Sequence, residues 1–296
     1  MLASLVTSLL LAVEPSDVAE VSVGGGTIEV TIGPAQPSVP REALLAWVET
    51  CAKSVAAYFG RFPVPRVRLS IVTGGRGDLG NGRTWGGRVP RIRVGVGQRT
   101  TQKDIDEDWV LTHEMIHLAL PDLPEGYSWM EEGLAVYVES VARRRDGRIG
   151  EAEMWGGLAR GMLQGLPGPR DGGLVGDGSW GRTYWGGAIF WLLADVEIRE
   201  KTGRRKGLED AMKGVLAAGG SIREDWTVDE VISAADRAVG LTVLHDLNER
   251  IGLHAGRVDL DAVWKRLGVS LEPGSVRFDD QAPLAAVRRA ISSGKA

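Results

Sequence analysis

The chain has 296 residues, a net charge of −4, 43% hydrophobic and 25% charged residues, which is ordinary globular composition with enough length for one large or two intimate lobes. No basic patch argues for nucleic acid, and with no apolar segment of spanning length an integral multi-span membrane protein is excluded. The single cysteine, Cys51, rules out an internal disulfide and a C-x-x-C metal ribbon.

Leu2 to Val13 is an apolar run of signal-peptide core length, too short to span a bilayer and without a basic leader. Ala12 and Ala19 offer small residues for cleavage, so residues 1–20 are read as a leader segment and the protein as secreted or periplasmic. The alternative is a first element of the folded domain in a cytoplasmic protein. Thr27 to Ile32 alternates as a strand, and Gly33 to Pro40 is a loop. Arg41 to Phe59 is an amphipathic helix that places Cys51 in the core. Arg66 to Val72 is a half-buried strand. Gly74 to Gly87 reads as a glycine-rich loop, with no G-K-[ST] to make it a phosphate cradle. Arg91 to Val96 alternates again and is expected to be an edge strand over a cleft.

A helix is expected from about Asp106 to Leu118. Asp104, Asp106, Glu107 and Asp108 favour its start, and Pro121 and Pro124 stop it. Trp129 to Arg143 forms the next helix, with Arg143, Arg144 and Arg145 suited to its C-terminal end. Gly165 to Gly181 is a loop rich in Gly, Pro and Asp, placed to act as a flap. Helices follow over Tyr184 to Thr202 and Gly207 to Leu216. Thr227 and Glu230 form a capping box for a helix to Val239. Leu241 to Ile251 and Leu260 to Leu267 are helical, and Asp280 with Pro283 starts a last helix to about Ile291.

The chemistry is concentrated at His113-Glu114-Met115-Ile116-His117, an H-E-x-x-H motif in a chain with only 4 histidines. One helical turn sets His113 and His117 on the same face, so both imidazoles can reach one ion. Glu114 lies off that line and is free to act as a base. The pattern fits Zn²⁺, which lowers the pKa of a bound water to about 7. The metzincin continuation is excluded, because its last two positions are Leu120 and Leu123. The third ligand should then be a carboxylate from the next helix, and periodicity does not choose among Glu131, Glu132 and Glu139. His245 and His254 are expected to be structural or exposed.

Two segments supply a resemblance. Trp129-Met130-Glu131-Glu132-Gly133-Leu134-Ala135 resembles the second zinc segment, W-x-x-E-G-x-A, of the gluzincin metallopeptidases. Tyr184-Trp185-Gly186-Gly187-Ala188, continuing through Glu197-Ile198-Arg199, Thr202-Gly203 and Leu208-Glu209-Asp210-Ala211-Met212, is similar to a block of the glycyl aminopeptidase family of gluzincins. The resemblance covers Ile105 to Gly252. It implies Glu132 as the third zinc ligand and Tyr184 as the donor to the oxyanion. It leaves Glu131 and Trp185 as neighbours of the substrate and Glu139 as an acceptor behind a ligating histidine. Gly186 stands where the family has Lys. The G-x-M-E-N segment, with which related aminopeptidases hold the substrate amine, is missing; Gly82 to Gly87 and the strand after it take its place.

The implied fold is α+β, the two-lobe zincin (thermolysin-like) arrangement. It has a mixed-sheet N-lobe over 21–125, an all-helical C-lobe over 126–252 and a helical extension over 253–296. The implied activity is zinc-dependent cleavage of peptide or protein substrates, as an aminopeptidase. The alternatives are endopeptidase action by the same mechanism, or a zinc-binding protein of peptidase fold with a non-catalytic or non-peptide role.

Overall fold

The computed structural model describes residues 18–35, 39–75, 77, 79–168 and 170–294. The apolar run Leu2 to Val13 lies outside them. Strands β1 (Ala19–Val23) and β2 (Gly26–Ile32) form a hairpin through Gly24 and Gly25, both at positive φ. Helix α1 (Arg41–Phe59) then crosses over to β3 (Arg66–Thr73), which lies parallel to β2. Strands β4 (Leu79–Trp85) and β5 (Arg91–Val96) complete a mixed sheet in the order β1-β2-β3-β5-β4. Strict alternation divides its faces. Ile28, Val30, Val67, Leu69, Ile71, Ile92 and Val94 are buried on one side, whereas Arg66, Arg68, Arg91 and Arg93 are exposed. One face therefore carries the core and the helices.

The sheet corrects three expectations. Leu79 to Trp85, read as glycine-rich loop, is a strand antiparallel to β5 with an irregular register between Gly80 and Arg83. Its glycines hide the alternation. It is also β4, and not β5, that forms the edge. Ala19 and Glu20, assigned to the leader segment, belong to β1.

The zinc-motif helix is shorter than expected. Residues Gln102–Asp106 form a separate helix, α2, with a Thr101/Asp104 capping box. Helix α3 (Val110–Ile116) starts afresh and tightens into a 3₁₀ turn at His117–Ala119. The break is made by the Asp108 carboxylate, which accepts from the Val110 and Leu111 amides and from Trp47 Nε1. These bonds begin α3 in place of a continuous run.

Helices α4 (Ser128–Arg145) and α5 (Glu151–Gly161) follow. A π turn at Arg182–Gly186 leads into α6 (Gly187–Lys201), then α7 (Leu208–Ala217), α8 (Val228–Val239) and α9 (Val243–Leu247). The capping box at Thr227 is formed as expected. After α10 (Leu260–Leu267) the C-terminal part is not wholly helical. Strands β6 (Val269–Glu272) and β7 (Ser275–Phe278) make a hairpin turned by Pro273 and Gly274 before α11 (Ala285–Ser293). Four-residue strands with one buried position between them carry no core signal in sequence.

Helices α4, α6 and α7 are joined by a buried polar network. Asp195 accepts from Tyr137 Oη (2.8 Å), Arg199 Nε (2.8 Å) and the Leu208 amide (2.9 Å), and Arg199 also bonds Glu209 (2.6 Å). The Glu-Ile-Arg and Leu-Glu-Asp segments of the resemblance are therefore a packing device. No helix of the described residues is long and apolar enough to cross a membrane.

Candidate metal centre

Helix α3 presents His113 and His117 one turn apart, with ring centroids 4.9 Å apart. Helix α4 brings Glu132 to them. Its Oε2 lies 3.1 Å from His113 Nε2 and 3.5 Å from His117 Nε2. One ligand atom from each of the three residues falls within 4.8 Å of the others. Two imidazole nitrogens and one carboxylate oxygen so placed form a donor set that fits Zn²⁺ with a further position open. Of the three glutamates that periodicity left open, Glu132 is the one whose carboxylate lies beside both imidazoles.

The electrostatics suit a cation. Burial opposes charge on Glu132, but hydrogen bonds and charge from His113 and His117 outweigh it and hold the carboxyl far below its usual range. Burial likewise opposes charge on His117, and the Glu132 hydrogen bond with the charges of Glu132, Glu114 and Glu131 raises its pKa. Burial pushes Glu131 up to about 7, although the Leu123 amide donates to its Oε1 at 3.1 Å.

Glu114 is buried and fixed from the sheet. Thr84 Oγ1 lies 2.6 Å from its Oε2 and 2.9 Å from its carbonyl oxygen. Gly82 faces the same side chain, and a Cβ there would come within 2.5 Å of Glu114 Cγ. The sequence reading has Gly82 to Gly87 in place of the amine-holding segment, but does not anticipate that Gly82 and Thr84 flank Glu114. The signal was a Gly-x-Thr alternation, separated from the motif helix by two elements and obscured by the surrounding glycines.

Two arginines tie α4 and the turn after it to α3 and its surroundings. Arg143 donates to the Glu107 carbonyl (2.8 Å) and to Glu139 (2.6 Å), and Arg148 donates to Thr112 Oγ1 (3.1 Å) and Ser54 Oγ (2.9 Å). Arg143 is therefore more than a helix-end charge. Glu139 is buried near His113, but its hydrogen bonds go to Arg143 and Ser140. His113 Nδ1 has no partner among the described residues. The expected bond between Glu139 and a ligand ring is not formed.

Tyr184 stands on the π turn, stacked on His113 at 6.4 Å and on Trp180 at 5.5 Å. Burial, with the charges of Glu132 and Glu114, pushes its phenol up to about 12, so it remains a donor at neutral pH. Trp180 is 59% exposed beside it. Trp185 turns away: its ring packs on Gly161 of α5, where any Cβ would overlap it. It does not line the cleft. His245 and His254 are exposed.

Glycines set the approach of α4 to the π turn. A Cβ on Gly133 would collide with the Gly187 backbone, and one on Gly165 with the Trp185–Gly186 peptide. Gly133 follows Glu132, so this contact brings Glu132 and Tyr184 to the same cleft. Gly133→Ala is expected to lose about 1–3 kcal/mol of stability through overpacking, measured by urea denaturation. An unchanged midpoint would refute the close contact.

Together His113, Glu114, His117, Glu131, Glu132 and Tyr184 line a cleft of about 530 Å³ under β4. A scan of the sequence against family models and a search of curated proteins both return no match. Solved structures of M1 peptidases share the fold. An aminopeptidase N family protein from Idiomarina loihiensis has 14% identity and a TM-score of 0.65 over 86% of this chain and 49% of its own. An M1 zinc metallopeptidase from Deinococcus radiodurans has 14% identity and a TM-score of 0.51 over 82% and 52%. Aminopeptidase A from Legionella pneumophila, in complex with aspartic acid, has 11% identity and a TM-score of 0.51 over 81% and 28%. The chain thus spans about half or less of each of these proteins, and what it shares with them is the mixed α/β fold of the M1 aminopeptidase domains.

Proposed function

We propose that the chain is a zinc-dependent metallopeptidase of the gluzincin type, acting as an aminopeptidase. The observation that carries this reading is the convergence of His113, His117 and Glu132 beside a Glu114 that Thr84 and Gly82 hold in place. A purely structural zinc site needs no base and favours four protein ligands. In this reading the centre lies between a sheet-bearing lobe, 21–125, and a helical lobe, 126–252. Export of the protein is part of the proposal and rests on the apolar run Leu2 to Val13.

Zn²⁺, when bound, supplies Lewis-acid polarisation of the carbonyl and acidifies water. His113, His117 and Glu132 would hold it. Glu114 takes the proton of the attacking water and delivers it to the leaving amine. Tyr184 donates its hydroxyl hydrogen to the developing oxyanion. Strand β4 is the last strand of the sheet and lines the cleft, so its outer edge can pair with an extended peptide through backbone bonds. Endopeptidase action is the second reading. Gly82 to Gly87 carries no carboxylate to hold a substrate ammonium.

Tyr184→Phe is expected to lose roughly 10²–10³-fold in rate with the metal retained, the effect of deleting one oxyanion donor; steady-state kinetics with metal analysis checks it. The reading as a whole is tested by mass spectrometry of a mixed peptide library incubated with zinc-loaded protein. Cuts that need Glu114 establish a peptidase, and their positions separate removal of N-terminal residues from internal cleavage. No cleavage by protein that holds zinc would overturn it in favour of a non-peptide substrate or a binding role.

A further inference from the structure

The arginines on the outer face of the sheet change their pairing towards its β4 edge. On β3, Arg66 and Arg68 both pair with Glu29 of β2, which stands directly opposite Arg68. On β5, Arg91 stands opposite Trp85 of β4, and Arg93 stands opposite Arg83. Arg83, Arg91 and Arg93 are exposed, and no carboxylate pairs with them among the described residues. Like charges directly opposite each other weaken a sheet, so the Arg83–Arg93 pair is unfavourable as it stands. The two guanidinium groups nearest the edge are nonetheless held in place. Arg83 lies over the Trp85 ring at 5.3 Å and Arg91 at 5.8 Å, where the ring quadrupole attracts a cation.

This cluster borders the metal cleft. Thr84 turns inward to Glu114, so its neighbours Arg83 and Trp85 point to the outer face. Both are also among the residues that line the cleft. Strand β4 has no further strand beyond it. A peptide that pairs with that edge alternates in its turn. Side chains on one of its faces enter the cleft, and those on the other stand beside Arg83 and Trp85. The two faces differ in charge. A side chain turned inward meets Glu114, Asp122 and Glu131, whereas one turned outward meets unneutralised arginines.

We propose that a peptide bound along β4 presents an acidic side chain to Arg83, and that the protein favours substrates with Asp or Glu at that position. The inference rests on the peptidase reading and on pairing of the substrate with β4, and it names the peptides that are favoured. The incoming carboxylate would do at the edge what Glu29 does beside β3, with a guanidinium as a charge-assisted partner. Arg83 is a specificity residue in this scheme and takes no part in the bond cleavage.

The test uses the full zinc-loaded chain and peptides whose cut bond has been located by mass spectrometry. Glu, Gln and Lys are placed in turn at each position along the peptide, and kcat/KM is compared. The wild type should favour Glu over Lys by roughly 2- to 30-fold at one position, the scale of exchanging a repulsive for an attractive pair across adjacent strands. The difference should lie in KM, shrink with added salt, and be absent at the positions on either side, whose side chains face the cleft. R83E should reverse the order at that same position, and R83K should keep it, with zinc content measured for each. The same order in R83E as in the wild type, or an acid preference that extends equally to neighbouring positions, would overturn the proposal and leave the peptidase reading intact. No cleavage by protein that holds zinc would overturn both.

Discussion

Glu114→Gln is expected to keep the metal and lose turnover by about 10²–10⁴-fold, the usual contribution of a positioned general acid–base. The substitution isolates proton transfer because it disturbs little else. Gln has the shape of Glu, so it fits against Gly82, and its amide oxygen can still accept from Thr84. None of the converging ligand atoms is altered. Kinetics on the peptides cut by the wild type, paired with measured zinc content, provides the readout. Full activity with zinc bound would refute the mechanism. Loss of zinc along with activity would mean that Glu114 supports the site itself, and the assignment of a base would fail.

How far the sequence reveals this site depends on what each residue contacts. The histidine pair needs only helical spacing, so the convergence of His113 and His117 can be read directly. Glu132 could not be chosen by periodicity, since Glu131 and Glu139 compete with it until α4 is packed against α3. That packing goes with contacts distant in sequence: Arg143 of α4 to the Glu107 carbonyl before α3, and Arg148, after α4, to Thr112 of α3. Glu139 illustrates the limit: a buried glutamate on the correct helix, it is taken by Arg143 one turn on. Trp185 is similar, adjacent to Tyr184 in sequence but turned onto Gly161 by the π turn. Helix α1 and helix α10 match their expected limits because their apolar periodicity is uninterrupted. Strand β4 was missed because glycine contributes no alternation, although that same lack of a side chain lets Glu114 lie against it. Helix α5, which contains Gly156 and Gly157 and ends at Gly161, left no readable periodicity for the same reason.

Asp195→Ala is expected to destabilise the fold by about 3–5 kcal/mol, the cost of removing one partner from a buried ion pair. Asp195 is fully buried and Arg199 is 2% exposed, so neither charge can turn to solvent when the other is lost. The variant leaves Arg199 with Glu209 alone and deprives both Tyr137 Oη and the Leu208 amide of their acceptor. Asp195→Ala combined with Arg199→Met should cost less than Asp195→Ala alone, because the double variant removes the stranded cation. Urea unfolding of the wild type and the two variants measures both terms. The network also joins the helix that carries Glu132 to the helix that follows Tyr184. Loosening it should therefore weaken zinc retention under chelator challenge, with all three ligands intact. If Asp195→Ala unfolds more easily but holds zinc as tightly as the wild type, the Gly133–Gly187 contact and the Trp191 Nε1 bond to the Met130 carbonyl set the approach of α4 to α6, and the polar network serves stability only.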